Sequence, residues 1–245
     1  MKLTILGTAP GKSLLGRSHT AFLLEHNEDK YLIDCGEGTT QKLLEKGLMG
    51  DELDAIIFSH LHPDHFSGIF ILLQTLYLNK RKKELVLFLP ESVNEITSFL
   101  SVLYIFEERL SYKLSFSLYD EHSFEGMGIT PFRNTHLMGY KNIVENRQLT
   151  NKLLSYSFII EGEQKSLLLS SDISSVKDIE KKFTECQVMI LDGIHPSANS
   201  VEEILMNTNK EVYITHGNYS NLQEKFATLL NNNVMLAQEN DEFNL

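Results

Sequence analysis

Apolar residues along this chain follow two rhythms. Short runs that alternate, or are apolar throughout, stand at residues 1–7, 20–26, 30–34, 53–59, 85–89, 114–118, 128–133, 153–161, 166–170, 188–191 and 212–215, and they predict strands. HNED marks the turn between the second and third, and EGEQ turns a hairpin between 153–161 and 166–170. Elsewhere apolar positions recur at helical spacing. TTQKLLEK over 39–46 is a short helix stopped by Gly47, and Phe66, Ile69, Phe70, Leu72, Leu73, Leu76 and Tyr77 share one helical face. Pro90 opens a further helix to about residue 102, and others are expected over about 176–183, 201–206 and 219–230. The stretch 138–152 is polar and unpatterned and predicts a loop. Strand pairs, then strands alternating with helices, occur in each half. Sheets with helices packed outside them would bury these faces, although a doubly wound sheet satisfies the same alternation.

Composition narrows the class. The chain has 245 residues, 42% hydrophobic and 22% charged, enough for a sizeable buried core. No stretch is long and apolar enough to cross a bilayer. The start, MKLTILGTAPGK, lacks the apolar core and cleavage site of a signal peptide, and Cys35 and Cys186 do not make a disulfide framework. A cytoplasmic location is expected. The formal charge of −11 argues against a protein that grips long RNA or DNA through broad basic surface.

The densest chemistry is SHLHPDHFSG, residues 59–68. His60 and His62 leave a strand on the same side, because strand side chains alternate. Pro63 ends the strand, and Asp64 and His65 stand where the next helix begins. Neutral imidazoles and a carboxylate suit zinc at about 2.0–2.2 Å, and adjacent carboxylate and histidine can face a second ion about 3.5–4 Å from the first. A run of surface histidines is the competing reading, and this density after a buried strand disfavours it.

At His60-Leu61-His62-Pro63-Asp64-His65 the sequence resembles the metallo-β-lactamase superfamily, whose H-x-H-x-D-H signature it matches at each defining position. The resemblance implies an α/β fold, a four-layer αβ/βα sandwich with the metal site at the sheet edges, here as one domain over 1–245. It also implies ligands just after later strands. His136 in FRNTHLMG, Asp172 in LLLSSDIS and His216 in VYITHGN stand at such positions. By this resemblance one metal takes His60, His62 and His136, and the other takes Asp64, His65 and His216. Asp172 bridges the two. Asp34 in LIDCGEG matches the family's early aspartate, whose role is to fix ligand geometry by hydrogen bonding.

LTILGTAPG, GRSHTAFLL and YLIDCGEGTTQKLL resemble the branch that holds ribonuclease Z and small phosphodiesterases. That branch implies phosphodiester hydrolysis by a metal-bridging hydroxide, with two divalent ions, zinc first and manganese or iron as alternatives. Asp64 would also accept or orient the water's proton. Ribonuclease Z proteins carry a tRNA-gripping arm between the third histidine and the bridging aspartate, and residues 138–153 leave no room for one. A cyclic nucleotide or short phosphodiester is the expected substrate. tRNA 3′-end processing, and lactone, thioester or sulfate ester hydrolysis on the same fold, stay open. A diiron redox protein and a non-catalytic binding protein are weaker alternatives. Relatives often dimerise, so a homodimer is a further expectation.

Other signals weigh less. His195 in MILDGIHPS follows a strand and is a candidate to protonate the leaving group; a plain loop histidine before Pro196 is an equal reading. GTAPGKS has one residue too few before its Gly-Lys pair for a phosphate loop and reads as a turn bordering the site. NKRKKE, residues 79–84, reads as a solvated basic helix end. His19, His26 and His122 fall outside the ligand pattern, and Cys186 is expected to pack.

Overall fold

Alternation along each strand sends its side chains into two different cores, and that sorting builds the layers. The computed structural model describes residues 1–120, 122–205 and 210–245. Its first half carries β1 (Lys2–Gly7), β2 (Ala21–His26), β3 (Asp29–Ile33), α1 (Thr39–Glu45), β4 (Ala55–Ile57), α2 (Pro63–Phe66), α3 (Ile69–Leu78), β5 (Leu85–Leu89), α4 (Val93–Val102) and β6 (Leu114–Leu118). The second half carries β7 (Ile129–Arg133), α5 (Lys141–Asn146), β8 (Tyr156–Glu161), β9 (Ser166–Leu169), α6 (Glu180–Phe183), β10 (Val188–Asp192), α7 (Ala198–Leu205), β11 (Glu211–Thr215), α8 (Tyr219–Lys225), β12 (Val234–Leu236) and β13 (Glu242–Asn244).

One sheet runs β13-β1-β2-β3-β4-β5-β6 and the other β12-β11-β10-β9-β8-β7. Leu3 and Ile5 of β1 join Phe158, Ile160, Val188 and Ile190 in a core between the sheets. Leu6, on the opposite face, packs with Leu43, Leu72, Leu76 and Leu100 of α1, α3 and α4. Met189 and Leu191 of β10 likewise turn outward onto Val201, Leu222 and Phe226. The order helix, sheet, sheet, helix is the expected four-layer sandwich.

Several expectations need correction. The strand placed at 53–59 is only Ala55–Ile57. Pro90 does not open a helix: Ser92 takes a left-handed conformation (φ 65°), so the helix begins at Val93. Glu91 is instead buried as a tie, accepting from the Lys152 N–H at 2.6 Å and the Leu154 N–H at 3.1 Å. The loop expected over 138–152 contains a 3-10 turn, His136–Tyr140, followed by α5. Leu137, Tyr140 and Val144 recur three and four apart there, a helical spacing masked by polar neighbours. The helix expected to 230 ends at Lys225, because Phe226 leaves helical geometry. Position 206 of the helix expected over 201–206 lies outside the described residues. β12 and β13 had no sequence signal, being three residues each and held by their ladder partners.

The basic run at 79–84 is also not wholly solvated. Arg81 is 1% exposed and donates to the carbonyls of Gly50, Leu53 and Glu84 at 2.7, 2.5 and 2.8 Å. A guanidinium can be buried when its donors meet fixed acceptors. Cys35 and Cys186 are both buried, and burial raises both thiol pKa values.

Arg81→Met should lower the unfolding free energy by about 2–4 kcal/mol in urea titrations, because three carbonyls, that of Leu53 fully buried, lose a charged donor. Gly36 and Gly68 let the turn after β3 lie against the start of α3. A methyl on Gly36 would overlap the Asp64 carbonyl, and one on Gly68 would overlap the Gly36 carbonyl. Gly36→Ala should therefore destabilise by about 1–3 kcal/mol and weaken metal retention on dialysis, since the displaced backbone carries Asp64.

Candidate metal centre

Strand direction gathers the site. β3 and β4 run parallel, as do β9, β10 and β11, so their C-terminal ends share an edge within each sheet. Asp34 follows β3, and His60 lies just beyond β4. Asp172 follows β9, Asp192 ends β10 and His216 follows β11. β7 reverses into β8 and β8 into β9, so His136 emerges on the same edge. The Tyr156 N–H donates to the Ser59 carbonyl at 3.0 Å and joins the two edges. Asp34 and His216 hold left-handed backbone (φ 59° and 60°), which turns each side chain back to the centre at about 1–3 kcal/mol of strain apiece.

All seven residues expected as ligands converge. Ligand atoms of His60, His62, His136 and Asp172 lie within 4.8 Å of one another, as do those of Asp64, His65, Asp172 and His216. Asp172 belongs to both groups. His136 Nε2 stands 3.1 Å from His62 Nδ1 and 3.6 Å from Asp172 Oδ2. His216 Nε2 stands 3.2 Å from Asp172 Oδ2 and 3.6 Å from Asp64 Oδ2. Bonds of about 2.0–2.1 Å at tetrahedral angles place donor atoms about 3.3 Å apart, so these separations fit zinc-sized ions. Nε2 of His60 is buried with no hydrogen-bond partner, as a nitrogen reserved for a cation would be. Nε2 of His65 also lacks one, although Asp172 Oδ1 lies 3.2 Å away without hydrogen-bond alignment. This donor set fits a divalent cation.

The opposite nitrogens are held from behind. Asp34 accepts from the Ser59 N–H at 2.7 Å and the Ser59 hydroxyl at 2.8 Å, and its Oδ2 is 2.8 Å from His65 Nδ1. That is the orienting part expected of Asp34. Ser59 Oγ is 3.0 Å from His60 Nδ1, and Thr20 Oγ1 is 3.1 Å from His216 Nδ1. Such partners set the tautomer that leaves Nε2 free to ligate. Burial lowers the pKa of His60 far below the usual imidazole range, lowers that of His62, and takes His136 to about 4, keeping them neutral. Burial also pushes His65 and His216 down, but Asp172, joined by Asp34 at His65 and by Asp192 at His216, outweighs it and both are raised. Asp172 is held well below the carboxylate range, with His216 and His65 overcoming its burial.

His195 reaches the same centre. Its Nδ1 is 2.7 Å from Asp192 Oδ2 and 3.8 Å from Asp172 Oδ2. Burial lowers its pKa, and the hydrogen bond and charge of Asp192, together with the charge of Asp172, more than restore it. Asp192 was missed from sequence; an aspartate closing the apolar run VMILD was the available signal. Lys225 was missed too. Its ammonium donates to the carbonyls of Gly193, Ile194 and Pro196 at 2.7, 3.0 and 2.7 Å and pins the turn that carries His195. The glycine-rich turn borders the site as expected: a Cβ on Gly11 would stand 3.5 Å from Asp64 Oδ2. His19 is buried outside the cluster, with Nε2 3.1 Å from Ser13 Oγ.

Comparison with known proteins agrees with this geometry. Ribonuclease Z of Archaeoglobus fulgidus is 33% identical over 151 residues, 59% of this chain and 48% of that protein. The matched region thus spans about half of that relative. Ribonuclease Z of Picrophilus torridus is 26% identical over an alignment covering 100% of this chain and 96% of that protein. The metallo-β-lactamase fold protein YhfI from Bacillus subtilis superposes with a TM-score of 0.74 at 18% identity, over 99% of this chain and 98% of its own. The fold is therefore that of the metallo-β-lactamases. Matched from residue 1 to residue 243, the chain belongs to the family described as anti-Pycsar protein Apyc1.

Proposed function

We propose that this chain is a metal-dependent hydrolase that cleaves a phosphodiester, with a cyclic nucleotide or another short phosphodiester as substrate. One observation carries the reading: two donor groups share the buried Asp172 at the edge where both sheets end. His60, His62 and His136 would hold one cation, Asp64, His65 and His216 the other, and Asp172 both. Zinc is the first choice, with manganese or iron suited to the same mixed nitrogen and oxygen set. Bound there, a pair of divalent ions supplies an acidified water as nucleophile and neutralises charge on the phosphate oxygens.

The chain's own residues supply the rest. Asp64, 10% exposed at its side chain, is placed to orient the attacking water or take its proton. His195 is the proton donor to the departing oxygen. It is partly exposed, so it can meet substrate, and Asp192 holds its ring and favours its charged form. Lys225 positions the turn beneath it.

Phosphodiester chemistry is supported by the ribonuclease Z relatives and by the likeness of the first third of the chain. The short link between His136 and β8, a 3-10 turn and the six-residue α5, supports a small substrate over a tRNA. The names of the relatives favour tRNA 3′-end processing as the second reading. Two buried cysteines with no disulfide suit work in the cytoplasm, and the whole chain is read as one domain.

Purified without chelator, the protein should carry two equivalents of metal per chain by mass spectrometry, and Asp172→Ala should lose most of both. A panel of cyclic nucleotides, bis-p-nitrophenyl phosphate, precursor tRNA, a lactone and a thioester tests the substrate class. Turnover confined to the lactone or thioester would reject the phosphodiester reading. His195→Ala should slow cyclic nucleotide cleavage by about 10²–10⁴-fold with metal content unchanged. The p-nitrophenyl ester should suffer much less, because its leaving group departs without a proton.

A further inference from the structure

Beside His62 lies a cavity of about 340 Å³ with no part in the chemistry described above. Its walls include Leu61, Tyr140, Ile143, Leu149, Asn151 and Leu153. Most of them come from the link between His136 and β8, which Glu91 ties down through Lys152 and Leu154. The Tyr140 ring stands edge-on to His62, with centroids 5.7 Å apart.

The lining decides what can enter. It offers aliphatic faces, one phenol ring, one amide, the His62 ring and the Glu91 carboxylate, and among the described residues no lysine or arginine lines it. A phosphate has nothing to pair with there. Glu91 does not repel an occupant strongly, because both its oxygens accept backbone N–H groups. A flat, uncharged ring with a polar edge matches such walls, and the Asn151 amide can both donate to and accept from that edge. The volume lies at the low end of the roughly 300–1,000 Å³ of small-molecule sites, so it suits a single base and not a folded RNA stem. His62 belongs at once to this wall and to the centre where the phosphate would react.

We propose that this pocket receives the nucleobase of a nucleoside phosphodiester, packed on Tyr140 and the aliphatic wall, with Asn151 reading its edge. The proposal rests on the phosphodiesterase reading only for where the phosphate lies.

Free adenosine, cytidine and uridine test it, because they lack the phosphate and report the pocket without any hydrolysis. Saturation-transfer NMR on the protein as purified should label base protons more strongly than ribose protons. Tyr140→Ala and Ile143→Asp alter residues that are 44% and 50% exposed, so the fold should tolerate both. Each should weaken nucleoside binding about tenfold. Both should raise KM for a cyclic nucleotide by a similar factor and leave kcat unchanged. Absent transfer to base protons, or variants that bind nucleosides like the wild type, would overturn the proposal. A change of mass in light scattering with nucleoside binding intact would also overturn it, by marking the cavity as a protein contact. If nucleosides bind here while no phosphodiester is cleaved, the pocket stands and the hydrolase reading falls.

Discussion

A buried carboxylate surrounded by imidazoles constrains everything else in this molecule. Asp172 is 3% exposed at its side chain, with nitrogens of His65, His216 and His136 at 3.2, 3.2 and 3.6 Å. Gathering such groups away from water opposes folding unless charge and hydrogen bonding compensate. The surroundings are arranged to hold them regardless. Left-handed backbone at Asp34 and His216 is tolerated, and Ser59, Thr20 and Asp34 restrain the far side of the rings. The cores between and outside the sheets supply the stability that lets the edge remain polar.

Neither half of the chain makes the centre alone. The first sheet brings His60, His62, Asp64 and His65, and the second brings His136, Asp172 and His216. The halves are registered by the bond from Tyr156 to Ser59 and by Arg17, which donates to the Gly217 carbonyl at 2.6 Å and lies over the Tyr219 ring. β13 returns to pair with β1, so the last strand also closes the first sheet. Distances of about 3 Å between groups from different sheets need that rigidity.

The link from His136 to β8 holds a 3-10 turn and the short α5 between two strands of the second sheet. The candidate ligands stand at strand ends, whereas this short connection packs beside them. Here it folds down, apolar side inward, and is held at both ends by Glu91 and by the candidate ligand His136 itself. That arrangement narrows the space beside His62.

The sequence alone determined most strands and helices and marked the candidate ligands, because these depend on local periodicity and on residue types at strand ends. LTILG, AFLLEH and VMILD each alternate between two cores, so their faces were legible without coordinates. H-x-H-x-D-H marked a candidate metal site for the same local reason. Tertiary structure alone decided which distant groups support it. Asp192 and Lys225 act through contacts with a turn whose shape no local pattern encodes. Arg81 resembles its solvated neighbours in sequence and is buried because the Gly50 and Leu53 carbonyls, from the stretch before β4, meet the nearby Glu84 carbonyl around its guanidinium. β12 and β13 are too short to carry a periodic signal, and the helical spacing at α5 is hidden by polar neighbours; these elements exist because their neighbours offer hydrogen bonds or an apolar face. Periodicity records what a residue needs from its neighbours along the chain; long-range hydrogen bonds and charge depend on partners it cannot name.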